Sequence, residues 1–217
     1  MVFSLIDRWE TLPEWSVTVV GIAEGTMTKS RIDVCSKGNG WSIFMLDIDA
    51  RNTCEMADGD LRVDPAADTP CSALAGMNGR LHQKIRAVAS ACLAVGTADG
   101  LVRIASADFP SVYIRNRTGS IRNVTGGGAP LGLFAEMRFP EKLCLLGRGD
   151  AMMFVNNGAQ RLLDDGLIDA YKLFAGRVYD SDSLPKRKFA ATAIRIERTD
   201  FAVAERRCAE ARSYAYA

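Results

Sequence analysis

Apolar residues fall along this chain in short runs separated by clusters of Gly, Asn, Asp and Pro. Val17 to Ala23 (VTVVGIA), Trp41 to Ile48 (WSIFMLDI), Ala87 to Val95, Leu101 to Ala105, Ser111 to Arg115 and Ser120 to Val124 each read as a strand. So do Leu143 to Leu146 (LCLL), Ala151 to Val155 (AMMFV) and Phe189 to Glu197. The runs are too short for helices, many are β-branched, and turn residues bound them. Gly38-Asn39-Gly40 marks a hairpin turn ahead of Trp41, and Glu24 to Arg31 reads as a loop. LCLL and AMMFV look continuously buried, and the Gly147-Arg148-Gly149-Asp150 turn between them predicts a hairpin. Asn156-Asn157-Gly158 ends the second run, because Asn and Gly tolerate the left-handed region. Strands at this spacing predict an antiparallel sheet protein.

Helical spacing appears in few places. In Cys71 to Lys84, Leu74, Met77 and Leu81 recur at helical intervals, with Thr69 placed as N-cap and Pro70 at the first helical position. Arg161 to Phe174 predicts one or two short helices. From Asp200 onward, Phe201, Ala204, Cys208, Ala211 and Ala215 form a stripe that predicts a terminal helix. It would dock on the core or form a homo-oligomer seam. Asn52 to Pro70 is acidic and broken by Gly59 and Pro65, leaving room for one short helix over Thr53 to Leu61. The expected organisation is one domain over residues 1–198 with a helical extension over 199–217.

Composition narrows the function classes. The 217 residues are 48% hydrophobic and 24% charged, ordinary for a soluble globular chain. A formal net charge of +1 offers no electrostatic basis for binding nucleic acid or an anionic membrane. No apolar run reaches the roughly 20 residues of a membrane helix, and the N-terminus lacks a secretory pattern. A cytoplasmic protein is expected. The six cysteines are scattered without a C-x-x-C pair, and His82 is the single histidine. Neither a zinc knuckle nor a Ser-His-Asp triad is suggested, and His82 reads as structural. Gly126 to Gly128 lacks the Lys-Ser/Thr of a phosphate loop.

The stretch Gly126 to Leu162 (GGGAPLGLFAEMRFPEKLCLLGRGDAMMFVNNGAQRL) resembles the PPM-type serine/threonine phosphatases, most closely their bacterial SpoIIE-like branch. The family pattern is G-x-P-L-G-L, a spacer, then L-x-x-G-D-x-L-x-x-Y-T-D-G. It stands here as Gly128-Ala129-Pro130-Leu131-Gly132-Leu133, Leu146 to Asp150, and Phe154 to Gly158. Over about residues 12 to 197 the order of motifs continues. Asp33 falls on the second Asp of G-D-x-x-D, Asp47 on the Asp of D-V-S-G, Asn78 and Leu81 on L-N-x-x-L, and Thr192 on the Thr of D-D-x-T. Pro110 fits N-A-G-H-x-P, whose Gly-His pair reads Asp108-Phe109.

The resemblance implies an α+β fold, an α-β-β-α sandwich of two antiparallel sheets flanked by helices. It also implies a two-metal centre, and there the chain departs from the pattern. The family's ligand positions read Ser30, Asp47, Asn157 and, at the start of the last strand, Phe189 or Ala190. Only Asp47 keeps a charge. Hard dications held close together need several anionic oxygens, so no cofactor is expected beyond a weak Mg²⁺ or Mn²⁺ at Asp47. The leading expectation is a catalytically inactive regulatory or scaffold protein of bacterial signalling. Its partner would be another protein, such as a phosphorylated regulator or an anti-sigma-factor antagonist. The alternative is a divergent metal-dependent serine/threonine phosphatase with a reduced site, its carboxylates drawn from Asp33, Asp47, Asp49 and Asp150.

Overall fold

The computed structural model describes residues 14–23, 28–37, 40–49, 61–64, 67–85, 87–109, 111–124, 127–175 and 191–199. Ten strands form two antiparallel sheets. The first has the order β1 (Trp15–Ala23), β10 (Ala191–Arg198), β9 (Ala151–Val155), β6 (Ser111–Arg115) and β7 (Ile121–Asn123). The second has the order β2 (Thr28–Lys37), β3 (Gly40–Asp49), β4 (Ala89–Gly96), β5 (Leu101–Ala107) and β8 (Glu141–Leu145).

Strand alternation sorts the apolar residues into three layers. Ile43, Met45, Cys92, Ile104, Val112, Met152, Phe154 and Ile194 meet between the sheets. Trp15 and Trp41 pack there edge to face, with ring centroids 5.4 Å apart. The opposite face of the second sheet, with Phe44, Leu46, Ile48 and Leu93, is covered by Leu74, Met77 and Leu81. These lie on α1 (Pro70–Arg80) and the π-turn Leu81–Ile85 that follows it. The outer face of the first sheet, with Ala151, Met153 and Val155, is covered by α2 (Asn157–Asp164) and α3 (Ala170–Phe174). The architecture is the expected sandwich of two sheets with helices outside. No helix among the described residues is long and apolar enough to cross a membrane.

Thr69 caps α1 as expected. Its hydroxyl accepts from Ser72 N at 3.1 Å, and the Ser72 hydroxyl accepts from Thr69 N at 3.1 Å, closing a capping box. The Gly38-Asn39-Gly40 signal sits between paired strands, Lys37 being in register with Gly40.

Four expectations need correction. Asn156-Asn157-Gly158 does not turn through the left-handed region: Asn156 is extended and caps α2, which starts at Asn157 and not at Arg161. β2 begins at Thr28, so the predicted loop over Glu24 to Arg31 is strand in its last part. Cross-strand pairing with the strongly apolar β3 outweighs the polar character of Thr28 to Arg31. The LCLL and AMMFV runs are not a hairpin, because β8 pairs with β5 and β9 pairs with β6 and β10. Their turn bridges the sheets: Leu146 N donates to Gly100 O, whereas Gly149 N donates to Arg198 O and Arg198 N to Asp150 O. Nor is LCLL continuously buried, since only Cys144 and Leu146 are covered, while Leu143 and Leu145 are exposed. The polar region before α1 lies outside the described residues except for 61–64 and 67–69, as does the predicted terminal helix from Asp200.

Candidate functional site: a polar network around Asp47

Ser30 and Ser90 are both in register with Asp47, one on each neighbouring strand. The three residues form a polar row across β2, β3 and β4, on the face that looks toward the other sheet. Asp47 is only 8% exposed. A buried carboxylate is costly unless donors surround it, and here they do. Ser30 Oγ donates to Asp47 Oδ1 at 2.6 Å, Asn156 Nδ2 donates to the same oxygen at 3.3 Å, and Asn157 N donates to Oδ2 at 3.1 Å.

Asn156 locks this arrangement. It caps α2, its Oδ1 accepting from Ala159 N and also from Thr192 N on β10, each at 2.9 Å. With its oxygen held by two backbone donors, its amide nitrogen must face Asp47 and Ser30 Oγ, the latter at 3.3 Å. Asn157 is the first residue of α2. Its Nδ2 donates to Ser90 Oγ at 3.2 Å, and Ser90 Oγ donates onward to Asp108 Oδ2 at 3.2 Å. Asp108 sits at φ 48°, the one positive-φ residue other than glycine among those described, at the place of a glycine in the resembled motif. Burial pushes the Asp47 carboxyl above the ordinary aspartate range; the bonds from Ser30, Asn157 and Asn156 pull the other way without cancelling it.

The sequence-based candidates separate cleanly. Ser30, Asp47 and Asn157 converge. Asp33 does not: it is in register with Phe44, whose side chain packs on the outer layer, and it pairs with Arg31 at 2.8 Å. Asp150 lies at the other end of β9, where its carboxylate accepts from Gly147 N and Arg117 N, each at 2.8 Å. Its place is that of a turn anchor. Asp49 ends β3 in register with Thr28, and its side chain is outside the described structure, as is Ala190. Sequence reasoning passed over Asn156, Ser90 and Asp108. Asn156 was legible as an Asn immediately before a helical stripe (Ala159, Leu162, Leu163). Ser90 could be found only through strand register.

Among the described residues, the donor chemistry around Asp47 does not fit a two-metal centre. Metal-binding carboxylates turn their oxygens toward cations and are surrounded by further acceptors. Both oxygens of Asp47 face N–H or O–H groups instead, and no group of three or more His, Cys, Asp or Glu among the described residues is placed to hold an ion. His82 is tied elsewhere, its Nδ1 lying 3.0 Å from Gly132 O.

No family model matches the chain, and no curated protein matches it by sequence. Solved structures do match by shape. The RsbU and RsbW domains of Rv1364c from Mycobacterium tuberculosis superpose with a TM-score of 0.69 at 16% identity, over 86% of this chain and 60% of that one. The PP2C phosphatase domain of SpoIIE from Bacillus subtilis, with a fragment of its regulatory domain, gives 0.60 at 12% identity, over 85% and 64%. This chain therefore spans less than two thirds of either. RsbX in complex with magnesium gives 0.59 at 10% identity, over 84% and 93%. The chain has the fold of the PP2C-type phosphatase domains.

Proposed function

We propose that this protein is a phosphatase-fold regulator or scaffold of bacterial signalling that acts by binding another protein and does not hydrolyse phosphate. One observation carries the reading: the carboxylate that the fold would offer to metal ions is enclosed by three hydrogen-bond donors. With one carboxylate at its centre, the site has too little negative charge to offset the repulsion of paired dications. Asn157 and Ser30 supply neutral groups where the resembled family has carboxylates. A fold kept while its chemistry is lost points to a retained surface. The resemblance to the SpoIIE-like phosphatases implies phosphorylated regulators of the anti-sigma-antagonist kind as the partners to try first.

The test has two arms on the purified full chain. In the first, hydrolysis of an aryl phosphate and of a phosphoserine peptide is followed with and without Mn²⁺ or Mg²⁺. No metal-dependent turnover is expected. In the second, a phosphorylated anti-sigma antagonist and its unphosphorylated form are titrated by calorimetry, and saturable binding is expected. Metal-dependent hydrolysis that Asp47→Asn or Asp108→Asn abolishes would overturn the reading in favour of a divergent phosphatase with a reduced site.

A further inference from the structure

Among the described residues β8 is the last strand of the second sheet. Its backbone offers a further strand a full set of bonds. Leu146 N donates to Gly100 O, which makes these two a hydrogen-bonded pair of the β5–β8 ladder. Such pairs alternate in an antiparallel ladder, so Cys144 and Lys142 also bond to β5, opposite Val102 and Ile104. The N–H and C=O groups of Glu141, Leu143 and Leu145 therefore point away from the sheet. The side chains of this edge are apolar where an edge is normally blunted by charge. Leu143 is 66% exposed and Leu145 69%, with Leu101, 37% exposed, in register beside Leu145 on the same face. Arg103 and Glu141, an ion pair 2.5 Å apart, close this strip of leucines at its far end.

The edge is its own complement. Leu143-Cys144-Leu145 reads the same in both directions about Cys144. A two-fold interface needs that reciprocity, residue i meeting j while j meets i. With the axis at Cys144, an antiparallel second β8 sets Leu143 opposite Leu145 of the other copy, and Leu145 opposite Leu143. These are the residues whose backbone groups point outward, so they form the hydrogen-bonded pairs of the new ladder, with the two Cys144 residues between them. The leucine strips then join into a single strip of six, from Leu101 of one copy to Leu101 of the other. Charge selects the same axis. An axis at Lys142 would set two ammonium groups directly opposite each other, and one at Leu143 would set Glu141 against Leu145. With the axis at Cys144, Glu141 falls opposite Gly147, and the two Lys142 residues stand roughly 13 Å apart along the strands.

We propose that this protein self-associates through β8, two copies joining their second sheets edge to edge, antiparallel, about Cys144. Edges of five residues bury less than the about 800 Å² per partner of a standard interface. The dimer is therefore weak, with a dissociation constant on the order of 10–100 µM. The inference does not depend on whether the Asp47 site is active.

The experiment is sedimentation equilibrium of the full chain from about 5 µM to about 1 mM, a range that brackets the expected constant. A reversible monomer–dimer equilibrium is expected, and a monomer throughout overturns the proposal. Leu143→Pro removes one outward N–H and leaves the bonds of β8 to β5 intact. Leu145→Lys puts a charge into the strip. Each should weaken the dimer at least about tenfold, the loss of one ladder bond pair or one buried leucine. Leu167→Lys, at a leucine 42% exposed between α2 and α3, should leave it unchanged. A dimer that survives Leu145→Lys, or that Leu167→Lys abolishes, overturns the proposal. If Leu143→Pro does not fold, Leu145→Lys decides alone, because its site is open in the monomer. Amide exchange followed by NMR then separates strand pairing from mere apolar contact. The Leu143 and Leu145 amides should gain protection as protein concentration rises, while those of Lys142 and Cys144, already bonded to β5, should not. A dimer in which the Leu143 and Leu145 amides exchange as fast as in the monomer overturns the paired edge.

Discussion

Single residues decide the character of the site, and Asn156 decides most. Its side chain reaches Ala159 N on α2, Thr192 N on β10, Asp47 on β3 and Ser30 on β2. Asn156→Ala removes the α2 cap and leaves buried donors without an acceptor. A loss of about 2–4 kcal/mol in urea unfolding is expected, a cap contributing about 1 and each orphaned group about 1–3. Asn157→Ala keeps its backbone bond to Asp47, loses only the Ser90 contact, and costs less; the reverse ranking would sink this account of the network. Asp47 also sets a pH signature. Its folded pKa is raised, so the native state holds this proton more tightly than the unfolded one. Its contribution to stability is complete below the unfolded value, about 3.9, and is lost as pH rises through the higher folded value. The stability of wild type relative to Asp47→Asn, measured by denaturant unfolding, is therefore greatest in acid and declines with pH over that interval. A difference that grows with pH would contradict the burial argument. The family-like spacing made Ser30, Asp47 and Asn157 legible as one site, but not whether they bind a metal or each other. That depends on which way the Asn156 amide points, and two backbone N–H groups fix its direction, one from the helix it caps and one from β10.

At the scale of elements, local pattern specifies those parts whose determinants are neighbours in the chain. α1 follows from Thr69-Pro70 and the Leu74, Met77, Leu81 spacing, because cap chemistry and periodicity are properties of neighbouring residues. Thr69→Ala should cost about 1 kcal/mol in thermal or chemical unfolding, and Thr69→Ser almost nothing; equal effects would mean the hydroxyl is not the cap. β8 and β9 were misjoined for the opposite reason. A four-residue turn between two apolar runs fits either a hairpin or a crossing between sheets. The difference lies in Arg198, which is 48 residues from the turn's last residue, Asp150, yet exchanges backbone bonds with that turn. The exposure of Leu143 and Leu145 follows from the same fact, since β8 is an edge strand and no helix among the described residues covers its outer face. α2 was predicted four residues late because Asn157-Gly158 reads as a turn. Asn156 supplies the cap that starts the helix before that glycine. The strap after β7 shows a glycine that the fold requires. Gly132 has φ 80°, and a Cβ there would collide with the carbonyl of Ala87. Its N–H donates to Asn78 Oδ1 at 2.8 Å, while Asn78 Nδ2 donates to Phe134 O and Ala135 O. Gly132→Ala should lower Tm more than Gly119→Ala, which has φ 93° but no neighbour within 4 Å. Both carry the backbone strain, so the difference isolates the packing clash.

Over the whole molecule the two sheets are tied at both ends by polar groups, with the apolar layer between. At one end, Arg198 bonds Leu146 O and Ala98 O and lies 6.0 Å from the Trp15 ring, while Arg148 reaches Glu14 at 3.0 Å. At the other, the Asp47 network joins β2, β3 and β4 of one sheet to the β9–α2 corner and β10 of the other. In the resembled family, metal ions would bridge that second gap. Here hydrogen bonds do so, and that makes a prediction about the molecule as a unit. Ser30→Asp with Asn157→Asp would place three carboxylates around one point, two from the second sheet and one from α2, which follows β9 of the first. Without cations, like charges in a buried row repel and the donor from Ser30 is gone, so the double variant melts below the wild type. With Mn²⁺ at about 100 times its dissociation constant, binding to the native state contributes about 2.7 kcal/mol, a rise of roughly 5–10 °C for a chain of this size. The wild type should show no such rise, because donors rather than acceptors face Asp47. Adding Ala190→Asp tests whether the opening of β10 also faces the site, and a further Mn²⁺-dependent gain is expected. Melting that ignores Mn²⁺ in every variant would mean that positions 30, 47 and 157 do not share a cation-sized space. The site would then be a polar seam between the sheets, with no former metal centre beneath it.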